Sequence, residues 1–416
     1  MNVETMRELL RDAFARACAG VDLEGRVRRM LPRPPHAARA LAIVAVGKAA
    51  PAMARGALAA LGEWPAGTGA AAAAGARVLV VAPDGVEAGR ALDDPRVEVR
   101  RAAHPDPDRR SVAAARRAVE RVAASDFVLA LVSGGASSLV CLPRAVSLAR
   151  YVRVTRALAM AGATVREVNV VRRHLCAVKG GGLARVAGGP VVTLVASDVI
   201  GGALHDIGSG PTVPDPTTAQ QAREVLRRFL PRLAAPPLHE SLAPTSAAAR
   251  RLRARFVARP EDLARAMAAR LRARGLVVRV LRSSLAPAEA LAREYVARAR
   301  ALGPGEALVR SAEPSVRIDI RSPGRGGRST HLAALLAGAL PPGVAFLAGA
   351  SDGVDGASGT AGAVVDGSLA RRASADGVVR ALAAFDTAPL LEAAGMALAG
   401  APTGTNLADV HVLARA

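Results

Sequence analysis

From about position 41 onward, apolar runs alternate with amphipathic stretches of helical period. LAIVAV (41–46) precedes a helix opening after Gly47, and RVLVVA (77–82) and VEVRRA (97–102) follow. Next come a helix from Arg109, FVLALV (127–132), a glycine-rich turn and helices to about Ala177, and VVTLVAS begins at Val191. Short β-rich runs joined by helical segments predict an α/β fold whose first domain is a Rossmann-like, largely parallel sheet with helices on both faces. Met6, Leu9, Leu10 and Phe14 add an N-terminal helix by their spacing. After Asp215 and a helix to about Leu230, PRLAAPPLHESLAPTS (231–246) reads as a linker. It divides the chain near 240 into an N-terminal domain, 1–240, and a smaller C-terminal α/β domain, 241–416. In the second half the expected elements are a helix from Glu261, LVVRVL (276–281), a helix from Pro287, ALVRSAE (307–313), VRIDI (316–320), a helix after Arg328, and VAFLAG (344–349).

The 416 residues suit two domains, and the composition, 51% hydrophobic and 22% charged, is globular. The formal net charge of +21 raises a nucleic-acid partner, but the arginines are scattered and only 2% of residues are aromatic, so few stacking platforms exist. A solvated basic surface is expected, with no nucleic-acid function. The N-terminus lacks the apolar core of an export signal and no apolar run spans a bilayer, so no membrane segment is expected. Cys18, Cys141 and Cys176 form no CxxC pair, and a reducing cytoplasm fits them best.

Of 56 Lys plus Arg, only Lys48 and Lys179 are lysine. A chain that uses arginine nearly everywhere has kept lysine where a compact ammonium matters. Lys48 follows a strand and opens a helix, a position that suits anion binding; it is not a P-loop, since Ala42 and Ala49 stand where that motif needs Gly and Ser or Thr. Ser133-Gly134-Gly135-Ala136-Ser137-Ser138 follows FVLALV and can turn successive N–H groups toward an oxyanion. Asn169 to Gly182 gathers Arg172, Arg173, His174, Lys179, Gly180 and Gly181, which suits a carboxylate or phosphate, with a structural His174 and solvated arginines as the plainer alternatives. Ser197-Asp198 ends VVTLVAS, where a carboxylate can hold Mg²⁺, and a helix cap is the competing role. The second half offers Gly324 to Ser329, a loop with Asp352 and Asp355, and the polar turn Thr403 to Asn406. Together these loops predict a cleft between the domains where magnesium and phosphates meet. No GxGxxG follows a strand, which weighs against a dinucleotide dehydrogenase.

Through VGKAAPAM, HPDPD (104–108), LVSGGASSL, EVNVVRRHLCAVKGGGLA, ASDVIGG, GSGPTVPDPTT, GRGGR, ASDGVDG and TGTN, nearly the whole chain resembles the class II glycerate 2-kinases, the MOFRL family, formerly often labelled hydroxypyruvate reductases. The resemblance implies ATP-dependent phosphorylation of D-glycerate with Mg²⁺ in the interdomain cleft. It implies catalytic roles for Lys48 and Arg328, and Asp198 at its strand end is the expected acceptor of the hydroxyl proton. Binding of glycerate or nucleotide would fall to Ser133, Gly134, Gly135, Ser137, Asn169, Arg172, Lys179, Gly180, Gly181, Ser197, Gly326, Gly327, Thr405 and Asn406, and metal to Asp198, Asp352 and Asp355. A cytoplasmic enzyme is expected, with a homodimer left open. The chain departs from the family pattern at Gly202, at Ser329, Thr330 and His331 (for Asn, Gln and Glu), and at Gly359. Two alternatives stand beside the kinase: a non-catalytic paralogue that binds a small hydroxy acid or nucleotide, and an NAD(P)H-linked hydroxypyruvate reductase.

Overall fold

A strand paired on both sides and covered on both faces must be apolar at every position, and the unbroken apolar runs of the first half form such strands. The computed structural model describes the chain apart from residues 33–37, 65–69, 88, 90, 91, 402, 404 and 405. Its first sheet contains β1 (Leu41–Val46), β2 (Arg77–Pro83), β3 (Val97–Ala102), β4 (Phe127–Ser133), β5 (Val191–Ala196) and β6 (Leu252–Ala258), in the order β3-β2-β1-β4-β5-β6. β1 to β5 pair in parallel, and β1 and β4, side by side in the middle, are buried along their whole length. From β1 the sheet grows one way through β2 and β3, and from β4 it grows the other way through β5 and β6. The winding therefore reverses between β1 and β4, and in such sheets a crevice opens beyond the carboxyl ends of the strands at the reversal.

The chain divides into two compact units. One comprises Leu23–Ser197 with Gly202–Val257, and the other Met1–Asp22, Asp198–Gly201 and Ala258–Ala416. This division differs from a boundary near 240, because 231–246 is stitched into the first-sheet unit. His239 N donates to His174 O (3.0 Å), Leu242 N to Gly180 O (2.8 Å) and Asp215 N to Leu242 O (2.9 Å). The N-terminal helix Val3–Gly20 belongs with the C-terminal half. Its Arg7 pairs with Asp366 at 3.2 Å, and Phe14 lies so close to Gly349 that a Cβ there would sit 2.7 Å from the ring.

The second sheet is mixed. β7 (Val277–Val280), β8 (Glu306–Ala312), β9 (Val344–Ala350), β10 (Thr360–Asp366), β11 (Ala397–Ala399) and β12 (Asp409–Arg415) lie in the order β11-β10-β9-β12-β8-β7. Only β7 and β8 are parallel neighbours. VRIDI is not a strand. Its alternation lacks a buried face, since Arg317 to Ile320 are all exposed and Arg317 pairs with Asp319 at 2.9 Å. Among the described residues no helix is long and apolar enough to cross a membrane.

Candidate active site

At the winding reversal, the turns that follow β1 and β4 are bonded to each other. Gly47 has φ +130°, and a Cβ on it would lie 2.1 Å from Ser133 Oγ, so only a bare backbone permits this approach. Lys48 N donates to Gly134 O (2.9 Å), and Ala49 N donates to the Ser133 hydroxyl (3.1 Å). The helix Ala50–Gly62 starts immediately afterwards, with no side chain capping its first turn. Gly135 adopts φ +84°, and a Cβ there would lie 3.1 Å from His104 Cδ2 and 3.5 Å from Lys48 Cγ. Lys48, His104 and the Ser133–Gly135 turn thus share one patch at the carboxyl ends of the strands. Sequence reasoning noted His104 only within HPDPD; its position two residues beyond β3 is the signal that would have found it.

The second lysine plays another part. Lys179 is 1% exposed, and its Nζ donates to Ser137 O and, at 2.9 Å, to Val140 O. The expectation that Lys179 holds a ligand carboxylate is corrected: its donors go to the backbone that follows the glycine turn. Cys176 lies beside it. Burial raises that thiol, yet a hydrogen bond with Cys141 and the Lys179 charge outweigh burial and pull it down to about 6. Gly180 and Gly181 are likewise packing residues, because a Cβ on Gly180 would lie 2.6 Å from Ser241 Cβ and one on Gly181 2.7 Å from Leu242 Cβ. Ser137 shares a hydrogen bond with Ser209 (2.9 Å), whose hydroxyl donates to Asn169 Oδ1 (3.0 Å). Arg172 Nη1 also donates to that oxygen, at 3.4 Å. Ser137, Asn169 and Arg172 therefore form one polar chain behind the turn. His174 is structural, with Nδ1 2.8 Å from Val170 O and Nε2 3.2 Å from Ser241 Oγ. Ser197 is buried at the end of β5.

In the C-terminal unit, Arg328 opens the helix Arg328–Ala337, and its guanidinium is held as a fork. Nε and Nη2 donate to Asp409 (2.7 and 3.0 Å), and Nη1 donates to Glu313 (2.6 Å). Asp409 is fully buried, so desolvation pushes its carboxyl up to about 6 against the pull of Arg328. Three of the five guanidinium N–H groups are thus used by carboxylates. Asp355 accepts from Ser329 N (2.9 Å) and Thr330 N (2.8 Å), so both its oxygens cap the helix. Both oxygens of this carboxylate, expected to bind metal, are thus engaged by the helix start. Gly327 has to be glycine, since a Cβ would lie 2.2 Å from Asp355 Cγ. Gly326 lies under Phe385 in the same way, with 2.5 Å from a Cβ to Phe385 O. Three of the departures from the family pattern, Ser329, Thr330 and His331, are built into this helix start. Ser329 Oγ donates to Asp409 (3.2 Å), Thr330 Oγ1 accepts from Gly327 N (2.9 Å), and the His331 ring stacks on Phe385 at 5.3 Å. Beside them lies a cavity of about 480 Å³ lined by Arg328, Gly326, Gly327, Ile318, Val354 and Phe385, among others.

Asn406 Nδ2 donates to Asp198 Oδ2 at 2.8 Å, and Asp352 accepts from Val354 N at 3.1 Å. Thr405 lies outside the described residues. Among the described residues no three His, Cys, Asp or Glu side chains gather as a metal cluster. The three acids expected to bind metal are not brought together.

A family model described as a domain of unknown function, DUF4147, matches residues 9–240, and the MOFRL family model matches 306–409. The D-glycerate 2-kinase of Thermotoga maritima is 33% identical over 89% of this chain and 89% of that protein. A protein of Agrobacterium vitis that carries a provisional hydroxypyruvate reductase name is 35% identical over 99% of this chain and 95% of its own. Among solved structures, the glycerate kinase of Thermotoga maritima superposes with a TM-score of 0.82 at 30% identity, covering 99% of this chain and 100% of that one.

Proposed function

Because the chain belongs to the MOFRL-containing glycerate 2-kinase family, we propose that it transfers the γ-phosphoryl group of ATP to the 2-hydroxyl of D-glycerate. The observation that carries this reading is the bonded pair of turns, Gly47–Lys48 and Ser133–Gly135, at the carboxyl ends of β1 and β4. Phosphoryl transfer needs mainly positioning and charge neutralisation. The Lys48 ammonium beside the glycine-rich turn supplies both to an anion. Lys48 would neutralise the transferring group, and His104, next to it, would contact the same anion. Lys179, Asn169, Ser137 and Arg172 would act by holding the turn in shape.

In the C-terminal unit, Arg328 keeps two N–H donors beyond its carboxylate partners. It borders a cavity whose glycine floor and apolar walls, Ile318, Val354 and Phe385, suit a nucleoside. Asp198, oriented by Asn406, is the proposed acceptor of the glycerate hydroxyl proton. The described residues do not form a protein cage for a divalent cation, so Mg²⁺ would arrive on the nucleotide phosphates with at most one or two protein carboxylates, Asp198 and Asp352 being those left from the expected set.

The test is turnover of the full chain with ATP, Mg²⁺ and a panel of hydroxy acids. ADP release that requires D-glycerate supports the reading; ADP release with none of the acids refutes it. Nicotinamide oxidation with hydroxypyruvate would favour the reductase instead.

A further inference from the structure

The first-sheet unit holds a second cavity that shares no residue with the turns after β1 and β4. It measures about 740 Å³ and lies between the helix Leu148–Met160 and the end of the helix Ala219–Phe229 with the residues after it. Arg150, Arg153, Val154, Ala157 and Met160 recur at helical spacing, so they form one stripe on the helix. Apolar groups make the floor: Val154, Ala157, Met160, Phe229 and Leu230. Met160 is 89% exposed at the end of this stripe.

Four arginines and no acid line this groove. Arg156 is paired with Asp106 at 2.6 Å, and Arg150 donates to Ala234 O at 3.1 Å. Arg153 and Arg232 are exposed and have no hydrogen-bond or ion-pair partner among the described residues. A groove of several hundred Å³ with an apolar floor has the size and character of a small-molecule site. Guanidinium forks at its rim match a carboxylate in two-point geometry.

We propose that this groove binds an amphipathic organic anion, a carboxylate on an unbranched alkyl chain. The head group sits between Arg153 and Arg232, and the chain covers Val154, Ala157, Met160 and Phe229. A second copy of the protein fits less well, because each copy carries a net charge of +21 and would bring a rim of arginines against its partner.

The experiment is calorimetric titration of the full chain with decanoate, decanol and acetate. Decanoate is expected to bind saturably and to weaken as salt rises, with decanol and acetate each at least about tenfold weaker. The double substitution Arg153→Glu, Arg232→Glu should weaken decanoate at least about tenfold and leave the melting curve unchanged. Ala157→Trp, which fills the floor, should abolish binding; were that variant not to fold, the exposed arginine pair carries the test alone. No saturable binding of decanoate, or equal binding of decanol, overturns the proposal. So does a dimer in light scattering that Met160→Asp dissociates.

Discussion

At the scale of single residues, the two lysines separate what a sequence can say from what it cannot. In a chain with 56 basic residues, the retention of lysine at 48 and 179 marks both positions as special. It does not say why. Lys48 lies beside His104 and Gly135 at the strand ends, whereas Lys179 is buried with its compact ammonium bonded to two carbonyls. Lys48→Ala is therefore expected to lower kcat about a hundredfold to a thousandfold with an unchanged Tm; equal turnover would remove Lys48 from the mechanism. Arg328→Ala should instead cost about 3 kcal/mol of stability, because it strands the buried Asp409 carboxylate. Denaturant titration measures that loss, and Arg328→Ala combined with Asp409→Asn should recover much of it. Asp355 was legible as an acid in a polar loop, but its use as a helix cap depends on a contact across 25 residues that spacing cannot reveal.

Among the elements, β1 and β4 were readable as strands and β12 was not. β1 and β4 announce themselves because both faces are covered. β12 hides because Asp409 and His411 interrupt it, and each is tolerated only through a partner elsewhere, Arg328 for one and the Tyr295 hydroxyl, at 3.0 Å, for the other. VRIDI misleads in the opposite sense, since it has the alternation of a strand and no layer to cover it. The turn after β4 depends on the Lys179 staple. Lys179→Met leaves Ser137 O and Val140 O without that donor and should cost about 2 kcal/mol. It should lower kcat as well, through displacement of Ser133–Gly135. Unchanged stability and turnover would contradict the staple. Gly47→Ala should destabilise by about 2 kcal/mol through its φ of +130° and its clash with Ser133.

For the whole molecule, the sequence conveyed the α/β class and a largely parallel first sheet, while the reversal between β1 and β4 emerged only from the strand order. The allotment of the N-terminal helix to the C-terminal unit was hidden, because it rests on contacts such as Arg7 with Asp366, 359 residues apart. The C-terminal unit also carries its own sensitivity to acid. Burial first, then Arg310 and Arg328, lowers His411 from 6.5 to about 3, so the unfolded chain takes up a proton before the folded one does. The Arg310 and Arg298 guanidinium groups hold Glu294 down at about 2, so its ion pairs are lost as the pH falls through that range. These two contributions are present at neutral pH and lost toward about 2, whereas Asp409, raised to about 6, opposes them between about 6 and 3.8 because there the folded chain takes up a proton first; the net decline is therefore expected from about 3.8 toward 2. Thermal melts across that range should show the decline, and Glu294→Gln should flatten its lower half; a Tm independent of pH would contradict it.

The central claim is phosphoryl transfer to D-glycerate, and ³¹P NMR of the reaction of the full chain with ATP, Mg²⁺ and D-glycerate tests it most directly. The account predicts a new resonance that coincides with 2-phosphoglycerate, growing as the ATP γ-phosphate signal declines and absent with Lys48→Ala. A spectrum in which the γ-phosphate signal persists, or gives only inorganic phosphate, would contradict it.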